Sequence, residues 1–135
     1  MYSQGASERI LGKAVKAIGA PRSNFVIMTK VFGSVPPEGV PSEVCDSPEE
    51  YGYVNYKGLS RKHIFESIKA SLERLQMDYV DLLQCHRFDP ETPYQETMRA
   101  LHDVVQAGYA RYIGMSSCAA WQFHAMQSTS STSFR

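Results

Sequence analysis

Three short apolar runs limit what this chain can fold into: FVIMTK at residues 25–30, VDLLQCHRFDP at 80–90 and ARYIGMSS at 110–117. Each has the length of a strand, whereas the segments between them repeat their apolar residues with the period of a helix. The order helix, strand, helix, strand, helix, strand, helix predicts an α/β fold with right-handed crossovers and parallel strands. In such folds the chemistry collects at the C-terminal ends of the strands. The three runs deliver Lys30, His86 and the pair Ser116/Ser117 at those ends, so one common site is expected there.

The helical segments carry their own signals. SERILGKAVKAIG puts Ile10, Leu11, Ala14, Val15 and Ile18 on one face, predicted to be buried, with Ser7 or a neighbour as N-cap and Gly19 as the stop. SRKHIFESIKASLERL has Ser60 at the N-cap position and an apolar stripe of Ile64, Ile68, Leu72 and Leu75, with Lys69 and Glu73 as an outward pair. Thr92, Pro93 and Gln95 read as a capping box that opens a third helix through Met98, Leu101 and Val105, ended by Gly108. AAWQFHAMQ predicts a fourth, with Trp121 and Met126 among its apolar residues. His63, His102 and His124 sit in helical segments and read as surface residues.

Less regular is the stretch 33–60, with Pro36, Pro37, Pro41 and Pro48 and no helical period. A connection this long is functional or mobile, and Tyr51, Tyr53 and Tyr56 either line a pocket there or pack the loop onto the body. The apolar run 25–28 suits a strand covered on both faces. STSSTSFR is low-complexity and polar, so 128–135 is expected to be a disordered tail, leaving residues 1–127 as one unit.

Charge and cysteine usage narrow the class. Fourteen Lys+Arg balance 14 Asp+Glu, which argues against nucleic acid or an anionic membrane as the main partner. No apolar run approaches the roughly 18–20 residues of a membrane span, and the first residues lack the layout of a signal peptide. Cys45, Cys85 and Cys118 form no C-x-x-C pair and read as free thiols in a reducing, cytosolic compartment. No H-E-x-x-H, Walker A or G-x-G-x-x-G pattern suggests a metal, a mononucleotide loop or a Rossmann fingerprint.

Taken singly, the candidate residues have ordinary explanations: a solvated lysine, a structural histidine, serines capping the fourth helix. Together with the N-terminus they become specific. YSQGASERILGKAV, then TK closing the first strand, then DYVDLLQCHRFDPETP, then RYIGMSS followed by WQF, closely resemble the aldo-keto reductase family from Tyr2 to about Gln127. The HRFDPETP form and the long YGYVN loop are similar to fungal aryl-alcohol-dehydrogenase-like and secondary-metabolite reductases.

That resemblance implies a partial (β/α)8 TIM barrel of about three parallel strands and four helices, truncated at both ends. It implies NADPH-dependent reduction of a small-molecule aldehyde or ketone to an alcohol. Tyr2 matches the family's general acid, and Lys30 matches the lysine that helps a phenol of ordinary pKa about 10 to act near neutral pH. His86 matches the histidine that hydrogen-bonds and orients the carbonyl. Ser116 and Ser117 match the positions that hold the nicotinamide carboxamide, the second being commonly Asn in the family.

The family pattern also has an aspartate a few residues before the tyrosine, and only Met1 precedes Tyr2 here. The first two strands and the last three βα units, with the ring that stacks on nicotinamide and the basic residues for the 2′-phosphate, have no counterpart in these 135 residues. Three strands with two open apolar edges are expected to be marginally stable, to self-associate through those edges, and to show little or no reductase activity alone. The alternative is a catalytically inactive remnant, or a half-barrel that binds another chain.

Overall fold

Three parallel strands, Met28–Val31 (β1), Val80–Cys85 (β2) and Ala110–Met115 (β3), pair in the order β1-β2-β3 in a computed structural model that describes residues 2–36, 39–45 and 47–133. The register places Lys30 beside Gln84 and Gln84 beside Gly114. Four α-helices, Ala6–Ile18 (α1), Arg61–Leu75 (α2), Tyr94–Gln106 (α3) and Ala120–Ser133 (α4), alternate with the strands. This is the expected partial barrel in content and order. No helix among the described residues is long and apolar enough to cross a membrane.

The core lies on one side of the sheet. Ile27, Val31, Leu83 and Cys85 point into it and meet Ile64, Ile68, Leu72 and Leu75 of α2 and Met98, Leu101 and Val104 of α3. Strand side chains alternate, so the residues between them face the other way. There Val26 is 75% exposed and Tyr112 72% exposed, with Met28 also open. The run 25–28 is therefore covered on one face only, not two, because the helices all pack against the same side.

At the N-terminal end of the sheet Arg22 donates to the Phe25 and Tyr79 carbonyls and to Asp81 Oδ2, the last at 2.7 Å. Asp81 also accepts the Ile27 N–H at 2.7 Å, clamping the approach to β1 against the start of β2.

Helix α1 departs most from expectation. Its apolar stripe is not buried: Ile10, Leu11 and Ile18 are exposed, and the residues turned inward are Glu8 and Gly12. A Cβ at position 12 would lie inside the van der Waals shell of the Leu75 carbonyl, so glycine lets α1 lie directly on α2. The N-cap is Gly5 and not Ser7, whereas Gly19 closes the helix in the left-handed conformation as the sequence suggests.

The other ends show similar detail. Ser60 caps α2 through the His63 N–H. Lys69 and Glu73 form no ion pair among the described residues, and Lys69 lies 6.0 Å over the Tyr109 ring instead. Thr92 does not cap α3, which begins after Pro93; its hydroxyl donates to Asp89. Helix α4 continues through the serine- and threonine-rich stretch to Ser133, where Thr129 donates back to the Ala125 carbonyl. Over 128–133, part of the stretch expected as an unstructured tail, the backbone continues α4 in helical form. Pro37 of the long loop and residues 134–135 lie outside the described residues, as does the side chain of Cys45.

Replacing Gly12 with alanine is expected to force α1 off α2 and to lower stability by about 1–3 kcal/mol. A fall in the urea midpoint without a change of slope checks this.

Candidate active site

Tyr2 reaches its position through an unusual backbone. Ser3, Gln4 and Gly5 adopt φ of 47°, 53° and 80° in succession before α1 begins. Left-handed geometry costs roughly 1–2 kcal/mol at each non-glycine residue, so the segment must be held. Arg9 Nη2 holds it by donating to the Gln4 carbonyl at 2.9 Å, and Gly5 lies against the Arg74 side chain with no room for a Cβ.

At the end of β1, Lys30 Nζ donates to the Tyr2 hydroxyl at 3.0 Å. His86 follows β2 directly; its N–H donates to the Val31 carbonyl at 2.9 Å, and its ring lies 5.9 Å from the Tyr2 ring, centre to centre. On the next strand the Ser116 N–H donates to the Cys85 carbonyl at 2.9 Å, and the Ser116 and Ser117 hydroxyls are 3.3 Å apart. Tyr2, Lys30 and His86 thus form one cluster, with the serine pair one strand over. Ahead of α4 the Ala119 N–H donates to Gln122 Oε1 at 2.8 Å.

Burial, and then the positive charges of Lys30 and Arg87, push the His86 pKa below its ordinary value. The imidazole is therefore neutral at physiological pH and has one N–H to donate. No carboxylate lies within ion-pair distance of Lys30 among the described residues. Beneath the site, burial pushes the Cys85 thiol up to about 12, so it stays protonated and serves as packing.

Several residues that the sequence reading passed over build this site. Glu8 is 7% exposed and accepts from Thr29 Oγ1 at 2.5 Å and from Arg74 Nε at 2.6 Å, joining α1 to β1 and α2. Burial works to raise its pKa, but the Thr29 and Arg74 hydrogen bonds and the Arg74 charge outweigh it and hold the carboxyl below its ordinary range. In the sequence Glu8 is only an acid in a first helical turn, and nothing local marks it as buried.

Asp89 is also buried. Its Oδ2 accepts from the Leu59 N–H at 2.7 Å and the Thr92 hydroxyl at 2.8 Å, and its Oδ1 from the Glu91 N–H at 3.0 Å. Here a signal did exist, because an aspartate accepting from the backbone two residues on is an Asx turn. The Phe88 ring, after β2, sits 6.3 Å from the Trp121 ring in the first turn of α4, and Trp121 is 68% exposed.

His63, expected at the surface, is 4% exposed. Burial pushes its pKa down, against hydrogen bonds with the Asn55 and Phe32 backbone that work to raise it; Ser67 Oγ lies 3.2 Å from its Nε2. A histidine in the first turn of α2 is buried because the long loop folds back over that turn, a tertiary event with no local signature.

The chain is similar to known proteins. The family model described as "Aldo/keto reductase family" matches residues 1–134. The versiconal hemiacetal acetate reductase of Aspergillus parasiticus is 53% identical over 129 residues, covering 94% of this chain and 37% of that protein. A putative aryl-alcohol dehydrogenase of Schizosaccharomyces pombe, C977.14c, is 42% identical over 139 residues, covering 95% of this chain and 38% of that protein. Among solved structures, the thermostable aldo-keto reductase Tm1743, crystallised with the inhibitor epalrestat, superposes with a TM-score of 0.73 at 30% identity, over 96% of this chain and 38% of its own. The chain therefore spans little more than a third of the length of the relatives it matches.

Asp89→Asn is expected to cost about 1–3 kcal/mol at pH 7, because an amide cannot accept all three hydrogen bonds. Burial alone would raise the Asp89 pKa, but the Leu59, Thr92 and Glu91 donors lower it below its ordinary value. A depressed folded pKa stabilises the fold above the unfolded value of about 3.9 and loses that contribution as pH falls through the folded one. Urea midpoints for the two proteins are therefore expected to differ at pH 7 and to draw together as pH falls below the unfolded value and through the lowered folded one.

Proposed function

The chain belongs to the aldo/keto reductase family, and on that footing we propose that it carries the carbonyl-reducing site of an NADPH-dependent reductase. The observation that carries this reading is the Lys30 amine 3.0 Å from the Tyr2 hydroxyl, beside a neutral His86. Tyr2 donates the proton to the carbonyl oxygen. Lys30 stabilises the phenolate left behind. His86 donates its one N–H to the same oxygen and fixes the orientation of the carbonyl.

The Ser116 and Ser117 hydroxyls each donate and accept, which fits the amide of a nicotinamide carboxamide one strand from His86. Bound there, a dihydronicotinamide supplies the hydride. The choice of NADPH over NADH rests on the family likeness. An aromatic substrate is supported by the Phe88–Trp121 pair, which offers apolar ring surface just past His86. Likeness to an aryl-alcohol dehydrogenase and to a fungal hemiacetal acetate reductase supports a place in fungal secondary metabolism. The free thiols of Cys85 and Cys118 support a reducing, cytosolic setting.

A second reading rests on a different observation. The face of the sheet that carries Val26, Met28 and Tyr112 is bare, and β1 and β3 each have an unpaired edge. On this reading the chain is a catalytically inactive half-barrel that associates through that face and those edges.

Two measurements separate the readings. For the reductase, dihydronicotinamide fluorescence is expected to change on adding the chain, and turnover of an aryl aldehyde to fall below the roughly 1–1000 per second of typical enzymes. Tyr2→Phe is expected to leave cofactor binding intact and to lower that turnover by about 100-fold or more. Absence of cofactor binding rejects the reductase reading. For the module, light scattering on a concentration series is expected to give one defined stoichiometry that Val26→Lys with Tyr112→Lys abolishes. Heterogeneous aggregates unaffected by those changes reject it.

A further inference from the structure

A cleft of about 800 Å³ opens between α1, α2 and the loop that follows β1, away from the serine pair and from the Phe88–Trp121 rings. We propose that it is a second ligand site and that its ligand class is an aromatic carboxylate. The proposal goes beyond the carbonyl-reducing reading and does not depend on it.

The space exists for a sequence reason. Helix α2 turns Ser67, Ala70 and Ser71 toward it, small residues three and four apart that share one face. Across from them the loop contributes Tyr53 and Tyr56, packed edge to face with ring centres 4.8 Å apart. This wall is anchored at its far end, where the Gly58 N–H donates to the Phe32 carbonyl at 2.8 Å and the Leu59 N–H to Asp89. Neither β3 nor α4 contributes a lining residue, and β1 adds only Lys30 and Val31. The cleft is thus walled by α1, α2 and the loop after β1, and its volume is that of an ordinary small-molecule site.

Charge selects the ligand. Among the lining cations, Lys62 pairs with Glu66, and Arg74 pairs with the buried Glu8. Arg9 and Lys13 lie one turn apart on α1 and line the same wall. Neither has a carboxylate within ion-pair distance among the described residues, and the remaining lining acid is Glu73. Two unneutralised cations facing two tyrosine rings favour a planar ligand with an anionic end: the carboxylate toward Arg9 and Lys13, the ring against Tyr53 and Tyr56. Lys30 forms the inner end, so this site and the Tyr2 cluster share one wall.

The test uses the isotopically labelled 135-residue chain titrated with 2-naphthoate, followed by amide chemical shifts. Shifts are expected to cluster in residues 9–13, 53–56 and 67–74. 2-Naphthoate is expected to bind at least tenfold more tightly than 2-naphthalenemethanol or inorganic phosphate. Lys13→Glu, an exposed change, and Tyr53→Ala are each expected to weaken it about tenfold, roughly 1.4 kcal/mol. Tyr2→Phe is expected to leave the affinity unchanged. Equal affinity for the neutral alcohol, unchanged affinity in both cleft variants, shifts centred on His86 and Ser116, or no saturable binding would each overturn the proposal.

Discussion

One buried carboxylate holds the end of this chain around Tyr2 and Lys30 together. Glu8 is taken out of water on the inner side of α1, where an unpaired charge would cost several kcal/mol. Arg74 and Thr29 compensate it, and they come from two other elements. Breaking such a pair by removing one partner typically costs about 3–5 kcal/mol, so α1, β1 and α2 are fixed to one another at this point. Thr29 and Lys30 are neighbours on one strand and point to opposite faces. A salt bridge on the helix side of β1 therefore sets where Lys30 stands on the other side, facing the Tyr2 that α1 presents.

Asp89 plays the corresponding part on the far side of His86. Its three hydrogen bonds close the turn after β2 and catch the Leu59 N–H, where the long loop re-enters the body. Gly58 sits at φ 90° with Asp89 Oδ2 where a side chain would start, so the backbone passes there only as glycine. Asp89 thus joins a loop of more than twenty residues to the turn that begins at His86. It also explains why His63 is inside: the loop it anchors lies over the first turn of α2.

The proposed reacting groups occupy the open face of the sheet, the one that the helices do not cover. In a closed barrel of this family that face is the interior, filled by layers of side chains from every strand. Val26, Met28 and Tyr112 stand uncovered beside the site. Apolar surface of this kind is worth about 25 cal/mol per Å² when buried, so covering the face beside the proposed site is favourable.

Alternation of strands and helices, the parallel sheet and the grouping of Tyr2, Lys30 and His86 were legible in the sequence, because period, strand ends and motif order are local or nearly local signals. The stripe of Ile10, Leu11 and Ile18 misled, since periodicity says which residues share a face and not which face is turned inward. Gly12 and Glu8 decided that, through a close backbone approach and an ion pair between residues 66 apart in the chain. The burial of His63, the reach of Asp89 and the charge of the cleft beside α1 belong to the same class. Each depends on groups distant in sequence meeting in a low-dielectric interior or across a gap, and only the tertiary structure brings them within a few ångströms.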